Sequence, residues 1–477
     1  MVRSTTYDQT SPADIERHGK RLVGSTLRHH IDSGIVRSDN ASGRIGRSSK
    51  AGFGTLLEKN FYGISPGNAS GVPDFPGAGV ELKSTGMVKK KSAWEAKERL
   101  SLNLINYQEE GLVTNFEASS FVKKNSLLML VGYQYQNDIP AIDLKVLCAG
   151  LIDFKSLPIA DQTVIRADWV RINKMIRECR AEALSERDTT YLGAGTKAAN
   201  SSVMRPQFGD GPPAKPRAYT FKKGFVTYLV NTLLRRQAED AENKALPDSF
   251  VGDFEGEILS RFRAFVGNSV ADICERLDEQ TPKSAKNFNA WLTRRMLGVK
   301  GNKIAEFEKA DIVTKTVHLD ERGRLPESMS FPVTRFDRLV AEEWLGDGEI
   351  TGDATVLTSA FRAQLDKRFL FVVFRGDRNN RASSKFVGAF FWSMPPHDLD
   401  GEVQRVWHVM KQAVTDSSPA RFPKESESRI AHVRPHARNA ADVDTLPNGT
   451  TTTKRCFWLN RGYILAQVRE HLPTIGT

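Results

Sequence analysis

The chain lacks any long apolar run. Nothing in its 477 residues approaches the 18 or so consecutive apolar positions that a membrane-crossing helix needs, so none is expected. Met1 to Lys20 mixes Ser, Thr, Asp, Arg and His and has no apolar signal-peptide core, which predicts a cytoplasmic protein. Cysteine is scarce. Cys148, Cys179, Cys274 and Cys456 lie far apart and none has a C-x-x-C neighbour, which argues against a zinc ribbon or a disulfide framework and predicts four reduced thiols. The 9 histidines are scattered without ligand spacing. Negative charge is also short: 57 Asp and Glu stand against 68 Lys and Arg, a net charge of +11. That balance favours a polyanionic partner, nucleic acid first and an anionic membrane surface second. With 40% hydrophobic and 26% charged residues the chain reads as globular, with room for two or three domains.

One run carries chemistry: Val72-Pro73-Asp74-Phe75-Pro76-Gly77-Ala78-Gly79-Val80-Glu81-Leu82-Lys83. On a strand, Glu81 and Lys83 point to the same face. Asp74 and Glu81 together can hold a divalent ion against a phosphate, and such an ion lowers the pKa of bound water. Lys83 can orient that water and stabilise the charge that develops on phosphorus. Glu58, on a helix predicted from Gly54 to Phe61, can add to the metal site, and Lys124, ahead of the apolar strand Ser126 to Tyr133, can neutralise phosphate. Taken alone, a D-x6-E-x-K pattern occurs by chance in charged chains. Further strands and helices are predicted at Val80 to Thr85, Ala167 to Leu184 and Gly224 to Arg235.

The second half repeats the first. Phe53-x-x-x-Leu57-Glu58-x-x-Phe61-x-Gly63 is echoed by Phe288-x-x-x-Leu292-Thr293-x-x-Met296-x-Gly298. Asp74-Phe75 is echoed by Glu306-Phe307, and Val80 to Thr85 by Ile312 to Val317. Lys124 is echoed by Lys367, and Tyr219 to Phe225 by Phe457 to Tyr463. Thr293 and Val313 then stand where Glu58 and Glu81 stand, so the copy is expected to be chemically inert yet able to touch DNA phosphates. This divides the chain into a partly helical N-terminal segment (1–50), a first domain (51–235), a linker (236–253) and a second domain (254–477).

The runs Gly54-x-x-x-Glu58, Pro73 to Thr85, and Ala96-Lys97-Glu98-Arg99-Leu100-x-Leu102-Asn103-x-Ile105-Asn106-Tyr107 resemble the MutH family of PD-(D/E)xK endonucleases acting at GATC. The runs Lys315 to His318, Glu327 to Phe331 and Glu342-Glu343-Trp344 resemble the two-domain restriction endonucleases of the Sau-three-A type. The resemblance implies an α/β fold of two tandem restriction-endonuclease-like domains, each a mixed central sheet flanked by helices. It implies Asp74, Glu81 and Lys83 as the catalytic set, Glu58 as an accessory acid, Lys124 (or Lys123) as a further active-site lysine, and Mg²⁺ on Asp74, Glu81 and Glu58. Gly195 to Ser201 resembles the family's base-reading loop, echoed by Val433 to Asn439, which offers Lys197, Asn200, Arg434, His436 and Arg438 as DNA-binding residues. MutH carries Arg-Pro-Lys there; the first half has Gly195-Thr196-Lys197, and only the second keeps Arg434-Pro435.

The function this implies is a type II restriction endonuclease cutting duplex DNA at GATC, 5′ of the G, with the second domain binding another site as effector. A monomer in solution, a dimer on DNA and a cognate methyltransferase go with it. A MutH-type mismatch-repair nickase is the alternative; a DNA-binding module without activity and a membrane-surface protein are the others. Lys89-Lys90-Lys91 and Lys222-Lys223 read as solvated faces or phosphate contacts.

Overall fold

The computed structural model describes residues 7–32, 52–65, 71–91, 93–197, 203–234, 241–279, 288–346, 357–377 and 380–473. The chain divides into two compact units. The first is Met1–Asp240 with Leu246–Val251 and Glu308–Asp311; the second is Ala241–Ala245 with Gly252–Phe307 and Ile312–Thr477. Of the strip expected as linker, residues 236–240 lie outside the described residues, and the rest is shared between the units.

In the first unit, helix α1 (Pro12–Lys20) opens on Ser11, whose hydroxyl accepts the Asp14 N–H, with proline in its first turn. Helix α2 spans Leu27–Asp32. Ile15, Leu22 and Leu27 are buried in the same core cluster as Phe75, Val80 and Leu82, so the N-terminal segment is part of the unit that holds the motif. Helix α3 (Phe53–Leu56) runs on as a π-helical turn, Leu57–Tyr62, and ends at Gly63. Gly63 has φ 67°, a left-handed conformation that glycine adopts without steric cost.

Strands β1 (Glu81–Lys90), β2 (Ala93–Ala96) and β3 (Leu100–Leu104) precede helix α4 (Ser120–Asn125). Strands β4 (Leu127–Gln134) and β5 (Val146–Asp153), helix α5 (Ile159–Arg177), strands β6 (Leu192–Thr196) and β7 (Arg217–Phe221), and helix α6 (Lys223–Leu233) complete the unit. One sheet has the order β2-β1-β4-β5 and a second β3-β7-β6. β1 lies parallel to β4, with Glu81 opposite Leu128 and Lys83 opposite Leu130. β5 is antiparallel to β4. Leu128 to Val131 are buried whichever way they point, which explains an apolar run without alternation. Helix α5 starts before the expected Ala167, directly after Pro158, and stops before the expected Leu184: Cys179, at φ 57°, turns the chain out of it.

The second unit repeats this plan. Helix α7 (Phe288–Met296) is followed by Gly298 at φ 78°, matching Gly63. Strands β8 (Ile312–Leu319) and β9 (Met329–Ser330), helix α8 (Ala360–Leu365), and strands β10 (Arg368–Arg375) and β11 (Lys385–Trp392) follow. Helix α9 (Gln404–Thr415), strands β12 (Ala431–Pro435) and β13 (Arg455–Leu459) and helix α10 (Arg461–His471) end the chain. The sheet orders are β11-β10-β8 and β12-β13-β9. β8 is parallel to β10, and β10 antiparallel to β11, as β1, β4 and β5 are in the first unit. Trp407 of α9 is fully buried among Phe336, Trp344 and Phe422 at the centre of this core.

Candidate active site

The site begins as a tight turn. Phe75 and Val80 pair across it by two backbone hydrogen bonds, 2.9 and 3.3 Å, and both side chains are buried. Gly79, at φ 66°, lets the chain reverse. The turn brings Asp74 beside the start of β1. The Asp74 N–H donates to Glu81 Oε2 at 3.1 Å, and the Leu82 N–H donates to Asp74 Oδ2 at 3.0 Å. Each carboxylate is thus held by the backbone next to the other.

Two lysines complete the group. Lys83 Nζ donates to Glu81 Oε1 at 2.6 Å. Lys124, on the last turn of α4, sets its Nζ 3.6 Å from the same oxygen. Glu81 is only 1% exposed and Lys124 8%, so both charges sit out of water. Burial drives the Glu81 carboxyl above its ordinary range, with Lys83 pulling it back. Glu58 projects from the π-helical turn, a geometry that re-aims a side chain and recurs at functional sites. Its carboxyl is pushed up by burial first and then by the charges of Asp74 and Glu81, while Lys83 and Lys124 oppose. The fold therefore gathers Glu58, Asp74, Glu81, Lys83 and Lys124 into one electrostatically coupled cluster.

Among the described residues no three His, Cys, Asp or Glu side chains form a ready-made metal cage. A magnesium ion does not require one: it keeps several waters and takes one or two carboxylates plus substrate phosphate. Asp74 and Glu81, with Glu58 nearby, are a donor set of that kind.

Comparison with known proteins now bears on the geometry. Residues 62–168 match the family model described as DNA mismatch repair enzyme MutH. That span holds Asp74, Glu81, Lys83 and Lys124, though not Glu58. The chain is also 33% identical over 95% of its length to the type II restriction enzyme Sau3AI of Staphylococcus aureus, covering 99% of that protein. The chain belongs to this family of type II restriction endonucleases. It is accordingly a site-specific deoxyribonuclease, with DNA as partner.

Among its described residues, the second unit of this restriction endonuclease builds nothing comparable. Thr293 is buried, and its hydroxyl donates to the Asn289 carbonyl at 2.8 Å. Val313 packs against the core. Lys315, opposite Phe371 as Lys83 is opposite Leu130, has its Nζ 5.6 Å from the Phe331 ring centroid, and burial lowers its pKa. No carboxylate pairs with it among the described residues. Glu306, the echo of Asp74, lies on the short helix Ala305–Ala310 and accepts the Ala245 N–H at 3.0 Å. One echo moves. Counted from the matching caps Ser119 and Ser359, the residue in the position of Lys124 is Gln364; Lys367 lies just before β10.

The residues expected to bind DNA divide three ways. Lys197, just past β6, donates its backbone N–H to the Pro216 carbonyl at 2.9 Å. Burial first, then the charges of Arg99 and Lys83, lower its pKa. Asn200 lies outside the described residues. In the second unit Arg434 is exposed, with its guanidinium 5.2 Å from the Trp458 ring centroid, and the His436 ring meets the same indole edge-on at 5.7 Å. Arg438 is tied to Asp442 at 3.2 Å and is otherwise solvated. Lys90 pairs with Glu95 at 2.7 Å on the β1–β2 hairpin, as a solvated face does. Lys222 differs from that expectation: it is 9% exposed and donates to the Thr189 carbonyl. Sequence reasoning missed the Arg99–Glu186 ion pair beneath β6; the glycines Gly193 and Gly195 were its only outward sign.

Proposed function

We propose that this endonuclease hydrolyses phosphodiester bonds in duplex DNA at GATC, 5′ of the G, with Mg²⁺ held by Asp74 and Glu81 and assisted by Glu58. The observation that carries the reading is the convergence of two backbone-braced carboxylates and two lysines on one buried corner of the β1–β4 sheet. When bound, the ion would polarise the phosphate and acidify a water. Asp74 and Glu81 supply its oxygen ligands. Lys83, tethered to Glu81, is placed to orient the attacking water and to offset charge on the phosphoryl oxygens. Lys124 adds a second positive charge at the same carboxylate, favouring a phosphate that approaches it. Burial of Glu81 and Lys124 keeps competing water from screening these interactions.

Domain roles follow from the same contrast. The first unit is the catalytic domain, and the second is a DNA-binding effector domain that engages another copy of the site. The loss of acids at Thr293 and Val313, with Arg434 and His436 still displayed, supports that division. One active site per chain implies two chains, monomers in solution, meeting on DNA to cut both strands. A cognate methyltransferase would protect the host, and a cytoplasmic location fits.

The MutH family match over residues 62–168 favours one other reading, a nickase of one strand. Digestion of unmethylated plasmid with Mg²⁺, followed by end sequencing, separates the two. Linear products with ends 5′ of G in GATC support the restriction reading. Nicked circles alone would establish the nickase, and no cleavage would overturn both.

A further inference from the structure

The two units share one strand register, and it exposes an exchange of arginines. Phe221 lies opposite Leu100 and Leu192; Leu459 lies opposite Met329 and Ala431. Aligned on these pairs, Gly195 occupies the position of Arg434, Thr220 that of Trp458, and Arg99 that of Ser328. The match continues past the strands: the Lys197 N–H bonds the Pro216 carbonyl at 2.9 Å, and the His436 N–H bonds the Lys454 carbonyl at 2.8 Å. Each unit thus has one arginine between these two strand positions, but on opposite strands.

In the second unit the guanidinium rises from β12. Arg434 lies over Trp458, and Ser328, Glu425, His432 and Arg434 line one cavity. In the first unit Gly195 contributes no side chain, and a guanidinium enters from the start of β3 instead. Arg99 Cζ lies 3.0 Å from where a Cβ on Gly195 would sit. That Cβ would also meet Glu186 Oε1 at 2.7 Å and Thr220 Cγ2 at 2.8 Å, so a side chain at 195 and the present arrangement exclude one another. Glu186 holds Arg99 by its Nη1 and accepts the Thr220 hydroxyl, contacts that the larger Trp458 could not provide in Thr220's place. Glu425 stands as far before β12 as Glu186 stands before β6, and it pairs with Arg461 at 3.6 Å, leaving Arg434 to its indole.

We propose that Arg99 is the base-reading arginine of the catalytic unit, doing from β3 what Arg434 does from β12, with Glu186 as its positioning residue. The proposal rests on the duplex-cutting reading and adds the ligand: the O6/N7 edge of a guanine. Arg99's side chain is only 11% exposed, and its buried Nε makes no hydrogen bond among the described residues. With Nε buried and one Nη1 hydrogen on Glu186, the donors left to Arg99 are the second Nη1 hydrogen and those of Nη2, which together form an end-on planar fork, the shape that matches a guanine edge. A phosphate would be served as well by a mobile surface lysine. Lys83 and Arg99 both act on Lys197, so the arginine belongs to the electropositive surface that continues the catalytic corner.

The test uses the full chain and a duplex bearing its cut site, with each guanine replaced in turn by 7-deazaguanine. Wild type should lose about 10-fold or more in cleavage rate at one such position, as expected for a lost bidentate contact. Arg99→Ala should be slower on the normal duplex yet indifferent to that same substitution. Arg99→Lys, which keeps the charge without the fork, should be equally indifferent. Thermal melting confirms that each variant is folded. An Arg99→Ala protein as sensitive to 7-deazaguanine as wild type would overturn the assignment. So would a salt dependence of binding shallower by about one phosphate contact with base sensitivity intact. If wild type cuts no duplex, the endonuclease reading fails separately, and the same comparison made as binding affinity still judges Arg99.

Discussion

Replacing Lys83 with alanine isolates what the catalytic corner does. Lys83 Nζ is 2.6 Å from Glu81 Oε1, and among the described residues the other cation placed at that oxygen is Lys124 at 3.6 Å. Glu81 is almost wholly buried and its carboxyl is already raised by burial. Lys83→Ala therefore removes the nearer counter-charge and pushes that carboxyl further toward its protonated, non-ligating form. It also removes the donor proposed to face the reacting phosphate. A single preorganised donor in a water-poor site contributes about 3–4 kcal/mol, which is ~10²–10³ in rate. Single-turnover cleavage at saturating Mg²⁺ should fall by about that factor, while duplex binding measured without Mg²⁺ stays close to wild type. A second measurement guards against misfolding: because Glu81 can protonate, thermal melting should show a folded protein. Cleavage within a few fold of wild type would refute the site. So would an equal loss from Val313→Ala, since Val313 holds the matching strand position and packs against the core; that variant should cut normally.

Other outcomes follow from the same geometry. Gly63→Ala and Gly298→Ala place a Cβ at φ 67° and 78°, so each should cost about 1–2 kcal/mol in urea unfolding; a cost near zero would deny that these turns are fixed. His18 lies against the Phe61 carbonyl at 3.1 Å, and burial, with Arg21 and His30, lowers its pKa below 6.5. A depressed base favours the neutral form in the fold, so its stabilisation is present above pH 6.5 and is lost as pH falls below it. Melting temperature should drop on acidification, and less so for His18→Gln; an unchanged slope in that variant would sink the account. Trp458→Ala removes the surface under Arg434 and should weaken binding of a second duplex by about 5-fold, near the 1 kcal/mol of an exposed cation–π contact. Unaltered affinity for that duplex would show that Arg434 needs no support.

The clustering of the proposed catalytic corner was legible because its residues are local. Asp74, Glu81 and Lys83 lie within ten residues, and strand alternation alone places the last two on one face. Lys124 was readable only as a lysine ahead of an apolar strand; its distance to Glu81 depends on α4 leading into β4, which lies beside β1. The limits of α5 were misjudged because its ends are set by Pro158 and by the left-handed Cys179, whereas apolar spacing reports only the middle. The echo of Lys124 at Lys367 failed for a related reason: the stretch from cap to strand is one residue longer in the second unit, and pattern matching slid to the next lysine. Lys222 read as surface because nothing near it in sequence tells that Thr189 lies above it.

The arginine exchange lay furthest from view, since its partners come from four separate stretches: Arg99, Glu186, Gly195 and Thr220. Sequence comparison of the loops shows Gly195 against Arg434 and suggests a loss. The register shows a compensation, because the space freed at 195 is filled from another strand. A duplicated chain permits such an inference without any relative. Both copies must solve the same packing problem on the same sheet, so a side chain missing from one position should be sought at the neighbouring one. The residues proposed as catalytic obey the opposite rule. At Thr293, Val313 and Gln364 the second unit offers no substitute from elsewhere among its described residues: Lys315 meets Phe331 rather than a carboxylate, and Glu306 accepts the Ala245 N–H. Conserving an arginine while abandoning the acids is the pattern expected of a unit that still meets DNA and no longer cuts it.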